Sequence, residues 1–353
     1  MALGLIINPG STSTKIGLLR ENKKLEIETI RHTQEELAPF KQISDQREFR
    51  VSKIENFLKQ NGFSISDITG VIAIGGMMKP CAAGVYKIDE EILADLSSDT
   101  YGRHASSLGG IIAYDIAAKN GIFAYVADPV TAEEIHEVAR ISGHPLIIRV
   151  SRGHTLNQKA MAMRAGKELG KLYKEANFIV AHLGGGISIV AHSQGKMIDT
   201  GGGRGEGPFS MDRTGGLNSW ELAKLCFSGK YTREEVQSMI NDQGGVVAYL
   251  GTRNFLDVVN RKSDGDEKAT LIFNALAYQV SKEIGAMATV LKGRVDAVVI
   301  TGGMAHSMEL VDQISSMVSF IAPIIAYPGE NEMEALAEYL RQIWSDTADL
   351  KTY

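Results

Sequence analysis

Cysteine, basic charge and long apolar runs are all scarce in this chain of 353 residues. Its two cysteines, Cys81 and Cys226, are too few for a disulfide framework, so we expect reduced thiols. The formal net charge of −5 argues against a nucleic-acid-binding protein, which normally has a basic surface. No apolar run is long enough to span a bilayer, and no cationic region precedes the first apolar stretch. These absences predict a cytoplasmic protein with no nucleic-acid or membrane partner.

The composition supplies enough apolar material for ordinary globular cores. Hydrophobic residues make up 44% of the chain and charged residues 22%, as in typical soluble domains. At the usual ~100–200 residues per domain, the length predicts about two domains. The sequence has no low-complexity segment.

The most informative stretch is residues 177–192, which reads as an apolar strand, three glycines and a second apolar strand. Residues 178–181 and 187–191 have the β-branched and small side chains typical of buried strands. Gly184, Gly185 and Gly186 lie between them. Glycine permits positive φ and, having no Cβ, lets another group approach the backbone N–H groups closely. Taken alone, the stretch fits a phosphate-binding turn and an ordinary glycine hairpin equally well.

The same pattern occurs twice in the chain. Residues 3–19 again form strand, small-residue turn and strand, and Asn8 holds the place that His182 holds in the later copy. Each copy continues with a third short strand, a strand ending in paired glycines and a strand ending at proline. In the first copy these are residues 25–30, 71–76 and 123–129, and in the second they are residues 197–199, 297–303 and 324–328. A duplicated β-β-β-α-β-α-β-α unit predicts two similar α/β domains that face each other across a central cleft.

Helical segments are expected between these strands. Amphipathic patterns and caps place them at residues 33–40, 45–60, 89–96, 107–119, 155–173, 220–227, 232–241, 265–292, 307–318 and 331–344. The T-x-x-E and T-x-x-Q patterns at Thr131, Thr155 and Thr232 predict capping boxes, the first opening a helix after Pro129. We expect one domain over residues 1–150 and the other over 151–330, with the C-terminal helix, 331–353, returning to the first domain.

Four motifs in a fixed order carry a family resemblance. They are I-N-P-G-S-T-S-T-K at 7–15, A-H-L-G-G-G-I-S at 181–188, G-P-F-S-M-D-R-T-G-G at 207–216 and P-G-E-N-E-M-E-A-L at 328–336. Together they resemble the butyrate kinase branch of the acetokinase family, within the superfamily of acetate and sugar kinases, heat-shock chaperones and actin. The resemblance covers nearly the whole chain and implies two ribonuclease H-like (actin-like ATPase) domains.

The resemblance also implies a reaction. The γ-phosphoryl group of ATP would pass reversibly to a short-chain carboxylate, butyrate or a branched-chain acid, giving an acyl phosphate and ADP with Mg²⁺ as the cofactor. A carboxylic acid with a pKa near ~4 is already ionised at neutral pH, so no general base is needed. The chemical problem is the approach of two anions, which calls for positive charge on the transferring group. Family members are homodimers or larger homo-oligomers, so self-association is expected.

The family pattern assigns roles to residues at matching positions. The predicted catalytic residues are Arg213 and His154, which would stabilise the phosphoryl group, Asp128, which would orient Arg213, and His182. The predicted nucleotide-binding residues are Asn8, Gly10, Ser11, Thr12, Lys15, His182, Gly184, Gly185, Gly186, Gly302, Gly303 and Met304. Asn8 and Glu332 would help to hold Mg²⁺. Taken singly, His182 also fits a buried core histidine, and Glu332 is favoured in the first turn of any helix.

Two departures from the family pattern concern the acid. Ile74 stands where butyrate kinases usually have an arginine, just before the paired glycines of the first domain. Arg204 replaces an acidic residue in the glycine-rich segment 201–206. We hypothesise that Arg204 partly restores the positive charge for the acid that Ile74 does not supply, and Lys79, Lys87 and Arg103 are the alternative candidates.

Two other functions stay open at this point. The loss of the arginine at position 74 fits a catalytically weak ATP-binding paralogue with altered acid specificity. A sugar kinase of the same superfamily would need a base to deprotonate a hydroxyl group, and Asp128 is the candidate. A heat-shock chaperone is excluded more firmly, because no length remains for a peptide-binding domain.

Overall fold

The structure is a computed structural model that describes residues 2–21, 23–151, 153–203 and 205–353. The chain divides into two compact units, Met1–Glu133 with Asn331–Tyr353, and Glu134–Glu330. The second unit therefore begins before the expected boundary at residue 150. The reason is that the segment after Glu133 bonds to a strand of the second unit: Met197 N donates to Glu134 Oε2 over 3.0 Å, and His136 N donates to Ile198 O over 2.9 Å.

The strands of the described residues fall into two groups. They are β1 (Leu3–Pro9), β2 (Ser13–Arg20), β3 (Glu26–Arg31), β4 (Gly70–Ile74), β5 (Val85–Lys87), β6 (Ala124–Ala127), β7 (Asn177–Leu183), β8 (Ile187–Ser193), β9 (Lys196–Gly202), β10 (Ala297–Gly302), β11 (Ile324–Pro328) and β12 (Leu350–Lys351).

The helices lie between these strands, with short 3₁₀ turns at several connections. They are α1 (Gln34–Leu37), α2 (Arg47–Gln60), α3 (Glu90–Ser97), α4 (Ala105–Asn120), α5 (Glu137–Arg140), α6 (Thr155–Glu168), α7 (Ser219–Cys226), α8 (Arg233–Asn241), α9 (Gly245–Leu250), α10 (Phe255–Ser263), α11 (Glu267–Val290), α12 (Met308–Val318) and α13 (Glu332–Trp344). No helix of the described ranges is both long and apolar enough to cross a bilayer.

Both units are built on the same strand order. The sheet of the first unit runs β12-β5-β6-β4-β1-β2-β3, and that of the second runs β11-β10-β7-β8-β9. In each, the first hairpin is antiparallel and its first strand pairs in parallel with the strand that ends in glycines. The order β6-β4-β1-β2-β3 thus matches β11-β10-β7-β8-β9 strand for strand, which confirms the predicted duplication. The two additional strands on one side of this first sheet, β5 and β12, were not predicted.

Alternation along β1 explains how its helices pack. Leu3, Leu5 and Ile7 point into a core shared with α2 and α4, whereas Gly4 and Asn8 lie on the other face, because successive side chains of a strand alternate. A Cβ on Gly4 would collide with the Leu340 side chain of α13. Glycine at this position therefore lets the C-terminal helix pack directly on β1.

The same alternation operates in β7 of the second unit. Ile179, Ala181 and Leu183 are buried in the core that contains α11. Phe178 and Val180 belong to the cluster on the side of α6. Both strands are almost completely buried, as the apolar pattern predicted.

Two of the predicted capping boxes are wrong. Residues 131–136 form no helix, because Thr131 Oγ1 accepts from Met78 N over 3.3 Å. Thr155 is not a cap but the first residue of α6, with His154 before it. The box at Thr232 is confirmed, since Thr232 and Glu235 cap α8 reciprocally. The helices α9 and α10 were missed.

Candidate active site

The turn between β1 and β2 is closed by Gly10, whose N–H donates to Ser13 O over 2.8 Å. Ser11 and Thr12 at its tip are exposed. Lys15 lies directly opposite Asn8 across the hairpin. The predicted nucleotide-binding residues of the first unit therefore form one compact turn.

Arg50 of α2 holds this turn from beneath, although no local pattern in the sequence singles it out. Its side chain is fully buried and its guanidinium donates to Gly10 O over 2.8 Å, to Ser13 O over 2.7 Å and to Thr14 Oγ1 over 2.9 Å. Burial lowers the pKa of Arg50 to about 10, so the group remains charged at neutral pH. The Gly10 and Ser13 carbonyl groups of the turn therefore face Arg50.

Asn8 and Glu332 are in direct contact within the first unit. Asn8 Nδ2 donates to Glu332 Oε2 over 2.6 Å, which joins the end of β1 to the first turn of α13. The pair offers one carboxylate and one amide oxygen. This donor set fits Mg²⁺, which commonly takes one or two carboxylates and keeps several waters. The described residues contain no cluster of three or more His, Cys, Asp or Glu side chains around a common point.

Asp128 is buried at the end of β6, with a φ of 46° that non-glycine residues rarely adopt. It accepts a hydrogen bond from Tyr339 Oη of α13 over 2.8 Å. Lys79 lies elsewhere in the first unit, where its ammonium pairs with Glu91 over 2.7 Å and sits over the Tyr353 ring. Arg204 falls outside the described residues.

In the second unit the glycine turn meets Arg213. A Cβ on Gly186 would lie 2.7 Å from Arg213 Nη1, and a Cβ on Gly184 would lie 2.9 Å from His182 Nε2. The φ angles of Gly184, Gly185 and Gly186 are not in the positive range. A side chain at 184 or 186 would therefore meet His182 or Arg213, and left-handed backbone is not what favours glycine here.

Two histidines stack beside this turn. The rings of His154 and His182 are 4.0 Å apart between centroids at an angle of 26°. His182 Nδ1 lies 3.0 Å from Asn157 Oδ1 of α6. Burial lowers the pKa of His182 to about 4, so this ring is neutral at physiological pH. Sequence reasoning did not select Asn157 as a site residue, although it lies inside the T-x-x-Q pattern at Thr155.

Ser188 and Gln158 were also missed. Ser188 lies opposite His182 in the β7–β8 hairpin, the position that Lys15 holds opposite Asn8 in the first unit. Its Oγ is 2.9 Å from His154 Nδ1 and accepts from Gln158 Nε2 over 3.0 Å. Gln158 thus bonds to a strand, which is why it does not complete the predicted capping box.

A cavity of about 670 Å³ opens next to the same turn. Gly184, Gly185, Gly303 and Met304 line one side of it. The other lining residues combine apolar and polar side chains: Met211, Arg253, Asn254, Phe255, Leu256, Val259, His306, Ser307, Met308, Glu309 and Glu330. Gly302 precedes it with a φ of 95°, and a Cβ there would collide with the Leu183 backbone.

The predicted residues are divided between the two units. Asn8, Gly10, Ser11, Thr12, Lys15, Lys79, Asp128 and Glu332 belong to the first. His154, His182, Gly184, Gly185, Gly186, Arg213, Gly302, Gly303 and Met304 belong to the second. In the second unit the glycine turn is in contact with both a cation and a buried histidine.

Comparison with known proteins identifies the family. The model of the acetokinase family matches residues 139–322. Over 350 residues the chain is 48% identical to butyrate kinase 2 of Clostridium acetobutylicum, covering 99% of this chain and 98% of that protein. The chain belongs to the acetokinase family. A probable butyrate kinase of Listeria innocua is 43% identical over 350 residues, 99% of each chain. The resemblance seen in the motifs is confirmed.

The acetokinase fold is also seen in solved structures. The acetate kinase of Porphyromonas gingivalis superimposes with a TM-score of 0.81 at 20% identity, over 98% of this chain and 100% of that one. The acetate kinase of Entamoeba histolytica gives 0.73 at 19% identity, over 96% and 98%. At this identity the likeness establishes the fold, and it confirms the predicted pair of duplicated ribonuclease H-like (actin-like ATPase) domains.

Proposed function

We propose that this protein transfers the γ-phosphoryl group of ATP reversibly to a short-chain carboxylate, butyrate or a branched-chain acid. The products are an acyl phosphate and ADP. Membership of the acetokinase family makes the chain a kinase with a carboxyl group as acceptor. The structural observation that carries the proposal is the contact of the Arg213 guanidinium with Gly186, which places a cation on the glycine turn.

The reaction makes one bond and breaks one. A carboxylate oxygen bonds to the γ-phosphorus, and the bond from that phosphorus to the oxygen bridging it to ADP breaks. No proton has to be removed from the acid, because it is ionised already. The residues therefore act by position and charge: Arg213 and a hydrogen bond from His154 offset the negative charge that spreads over the phosphoryl oxygens.

The nucleotide is assigned to the 670 Å³ cavity of the second unit. Its apolar lining suits a base and ribose, and its junction with Gly184 and Gly185 suits the start of the phosphate chain. Buried His182 is neutral, so it adds a ring beside the turn without adding charge. Mg²⁺, when bound, would neutralise phosphate charge, with Asn8 and Glu332 as its protein-side partners.

The first unit supplies the remaining proposed residues. Gly10, Ser11, Thr12 and Lys15 form the second phosphate turn, and Asp128 is assigned to orient Arg213. Arg204 and Lys79 stay predictions for the acid, as do the cytoplasmic location and the homo-oligomer. Arg204→Ala is expected to lower kcat/KM for butyrate, and an unchanged value would remove Arg204 from the substrate site.

A catalytically weak paralogue is the less favoured function. Ile74 does replace the family's arginine, but the chain matches proteins named butyrate kinases over its whole length. A sugar kinase is disfavoured on the same ground.

The deciding experiment traps the acyl phosphate with hydroxylamine. Purified protein, Mg-ATP and butyrate should give butyryl hydroxamate, and omission of ATP should abolish it. Arg213→Ala should lower kcat by about a hundredfold or more, because it removes charge used in the transition state. Acetate, isobutyrate and glucose are run in parallel. ATP binding without turnover of any acid would support the weak paralogue, and phosphorylation of glucose alone would support the sugar kinase.

A further inference from the structure

A line of hydrogen-bonded side chains runs through the second unit from Tyr173 to His154. Tyr173 Oη lies 2.9 Å from His192 Nδ1, and His192 Nε2 lies 3.2 Å from Gln158 Oε1. Gln158 Nε2 donates to Ser188 Oγ over 3.0 Å, and that oxygen lies 2.9 Å from His154 Nδ1. Gln158, Ser188 and His192 are completely buried.

The orientation of Gln158 is fixed by the backbone. Its amide also contacts Ser188 O at 3.0 Å, and a carbonyl oxygen can only accept, so the amide NH₂ must be the group on that side. The amide oxygen then faces His192 and can only accept, so His192 Nε2 must donate. Burial, with the nearby charge of Lys159, lowers the pKa of His192 to about 3. The neutral ring has its one proton on Nε2, and Nδ1 accepts from the Tyr173 hydroxyl.

The other end of the line follows from Ser188. Its hydroxyl oxygen accepts from Gln158 Nε2 and also from the backbone N–H of His154, over 3.4 Å. Both lone pairs of the oxygen are then used. The hydroxyl proton remains to be donated, and His154 Nδ1 is the acceptor at 2.9 Å. His154 must therefore accept at Nδ1.

We propose that Gln158 and Ser188 are positioning residues that hold His154 in the tautomer with its proton on Nε2. In this state the ring can donate a hydrogen bond from Nε2 to a phosphoryl oxygen, while stacking on His182 holds the plane of the ring. The catalytic consequence rests on the function proposed above. The assignment of the tautomer does not rest on that function, because hydrogen bonds within the chain itself determine the tautomer.

The tautomer is measured directly by ¹⁵N NMR of protein labelled at histidine. The His154 signals are assigned by their loss in His154→Asn. At neutral pH and without substrate, Nδ1 should show the shift of an unprotonated ring nitrogen and Nε2 that of a protonated one. A proton on Nδ1, or on both nitrogens, would overturn the proposal.

Three variants separate positioning from simple packing. Gln158→Glu replaces the amide donor by an acceptor, so Ser188 should donate to it. His154 should then shift to the Nδ1–H tautomer. We expect kcat to fall about 10–100-fold and KM for ATP to change less. If this buried carboxylate prevents folding, Ser188→Ala decides, since it removes the donor to Nδ1 and should give a mixture of tautomers. Tyr173→Phe is the matched control. It should leave the tautomer of His154 unchanged, because Ser188 O still fixes the orientation of Gln158.

The outcomes are distinguishable from failure of the proposed function. An unchanged His154 spectrum in folded Gln158→Glu or in Ser188→Ala would overturn the positioning role, whatever the activity. A wild-type protein that has the expected tautomer but turns over no carboxylic acid would overturn the proposed function and leave the positioning of His154 intact.

Discussion

Arg213 Nη1 lies 2.7 Å from the point where a Cβ on Gly186 would be. Gly185, the next residue back in the same turn, has open space there, with nothing within 4 Å. The two glycines thus differ in what surrounds them and not in the sign of φ. A methyl group at 186 would have to displace the guanidinium, whereas one at 185 would not.

This difference predicts the effects of two alanine variants. Gly186→Ala should lower kcat about 10–100-fold, because a shift of the cation by about 1 Å weakens stabilisation of the transferring group. Gly185→Ala should keep kcat, with any loss confined to KM for ATP. Initial rates of hydroxamate formation test both. Equal losses of kcat would show that the Arg213 contact is not what requires glycine.

The buried Arg50 predicts a stability effect. Arg50→Met removes the donor to Gly10 O and one of the two donors to Ser13 O, which still accepts from Gly10 N–H, and an acceptor left unsatisfied costs about 1–3 kcal/mol. We expect the free energy of unfolding in urea to fall by about 2–4 kcal/mol and KM for ATP to rise. Arg47→Met is the control, since Arg47 is half exposed and pairs with Asp115 at the surface, where ion pairs contribute about 0–1 kcal/mol. Similar losses in both variants would contradict a special role for Arg50.

Removal of the Glu332 charge should weaken the use of magnesium. Glu332→Gln keeps the shape of the side chain but removes the carboxylate beside Asn8, so the Mg²⁺ concentration for half-maximal rate should rise about tenfold or more. The rate is measured against Mg²⁺ at fixed ATP. Glu334→Gln changes an exposed acid in the same helical turn and controls for the helix dipole. A matching shift in this control would argue against metal binding by Glu332.

Buried His182 predicts a loss of stability in acid. Its pKa is lowered from 6.5 to about 4 by burial, so between these values the unfolded chain binds a proton that the folded chain does not. Stability is therefore complete above about pH 6.5 and falls as the pH drops toward 4, by on the order of 3 kcal/mol from this group. Urea unfolding of wild type and His182→Asn at about pH 7 and pH 5 tests this. The free energy of unfolding of the variant should depend less on pH than that of the wild type. An equal change between the two pH values in both proteins would contradict the assignment.

The repeated strand order, and several side chains at the turns between the strands, could be predicted from the sequence. Strand alternation and paired glycines are local signals, so β1 and β7 could be matched and Asn8 placed as the counterpart of His182. The contact of Asn8 with Glu332 joins residues 324 positions apart, and only the family pattern related them.

Other features depend on partners that local patterns do not specify. Arg50 lies in a charged helix and looks like a solvated residue, yet its partners in the turn lie 36–40 positions earlier in the chain. Thr131 matches a helix cap, but a distant backbone N–H competes for its hydroxyl. Strand β12 has only two residues and is formed by pairing with β5. It is too short to show an alternation of apolar and polar residues.

The place of α13 in the sequence has a consequence for synthesis on the ribosome. Gly4 and Gly70 leave the space that Leu340 and Trp344 fill, so strands β1 and β4 are covered by a helix that follows the whole second unit in the chain. Residues 134–330 are complete before that helix has been translated. The nascent second unit can therefore fold first, while one face of β1 and β4 stays uncovered until α13 has been translated.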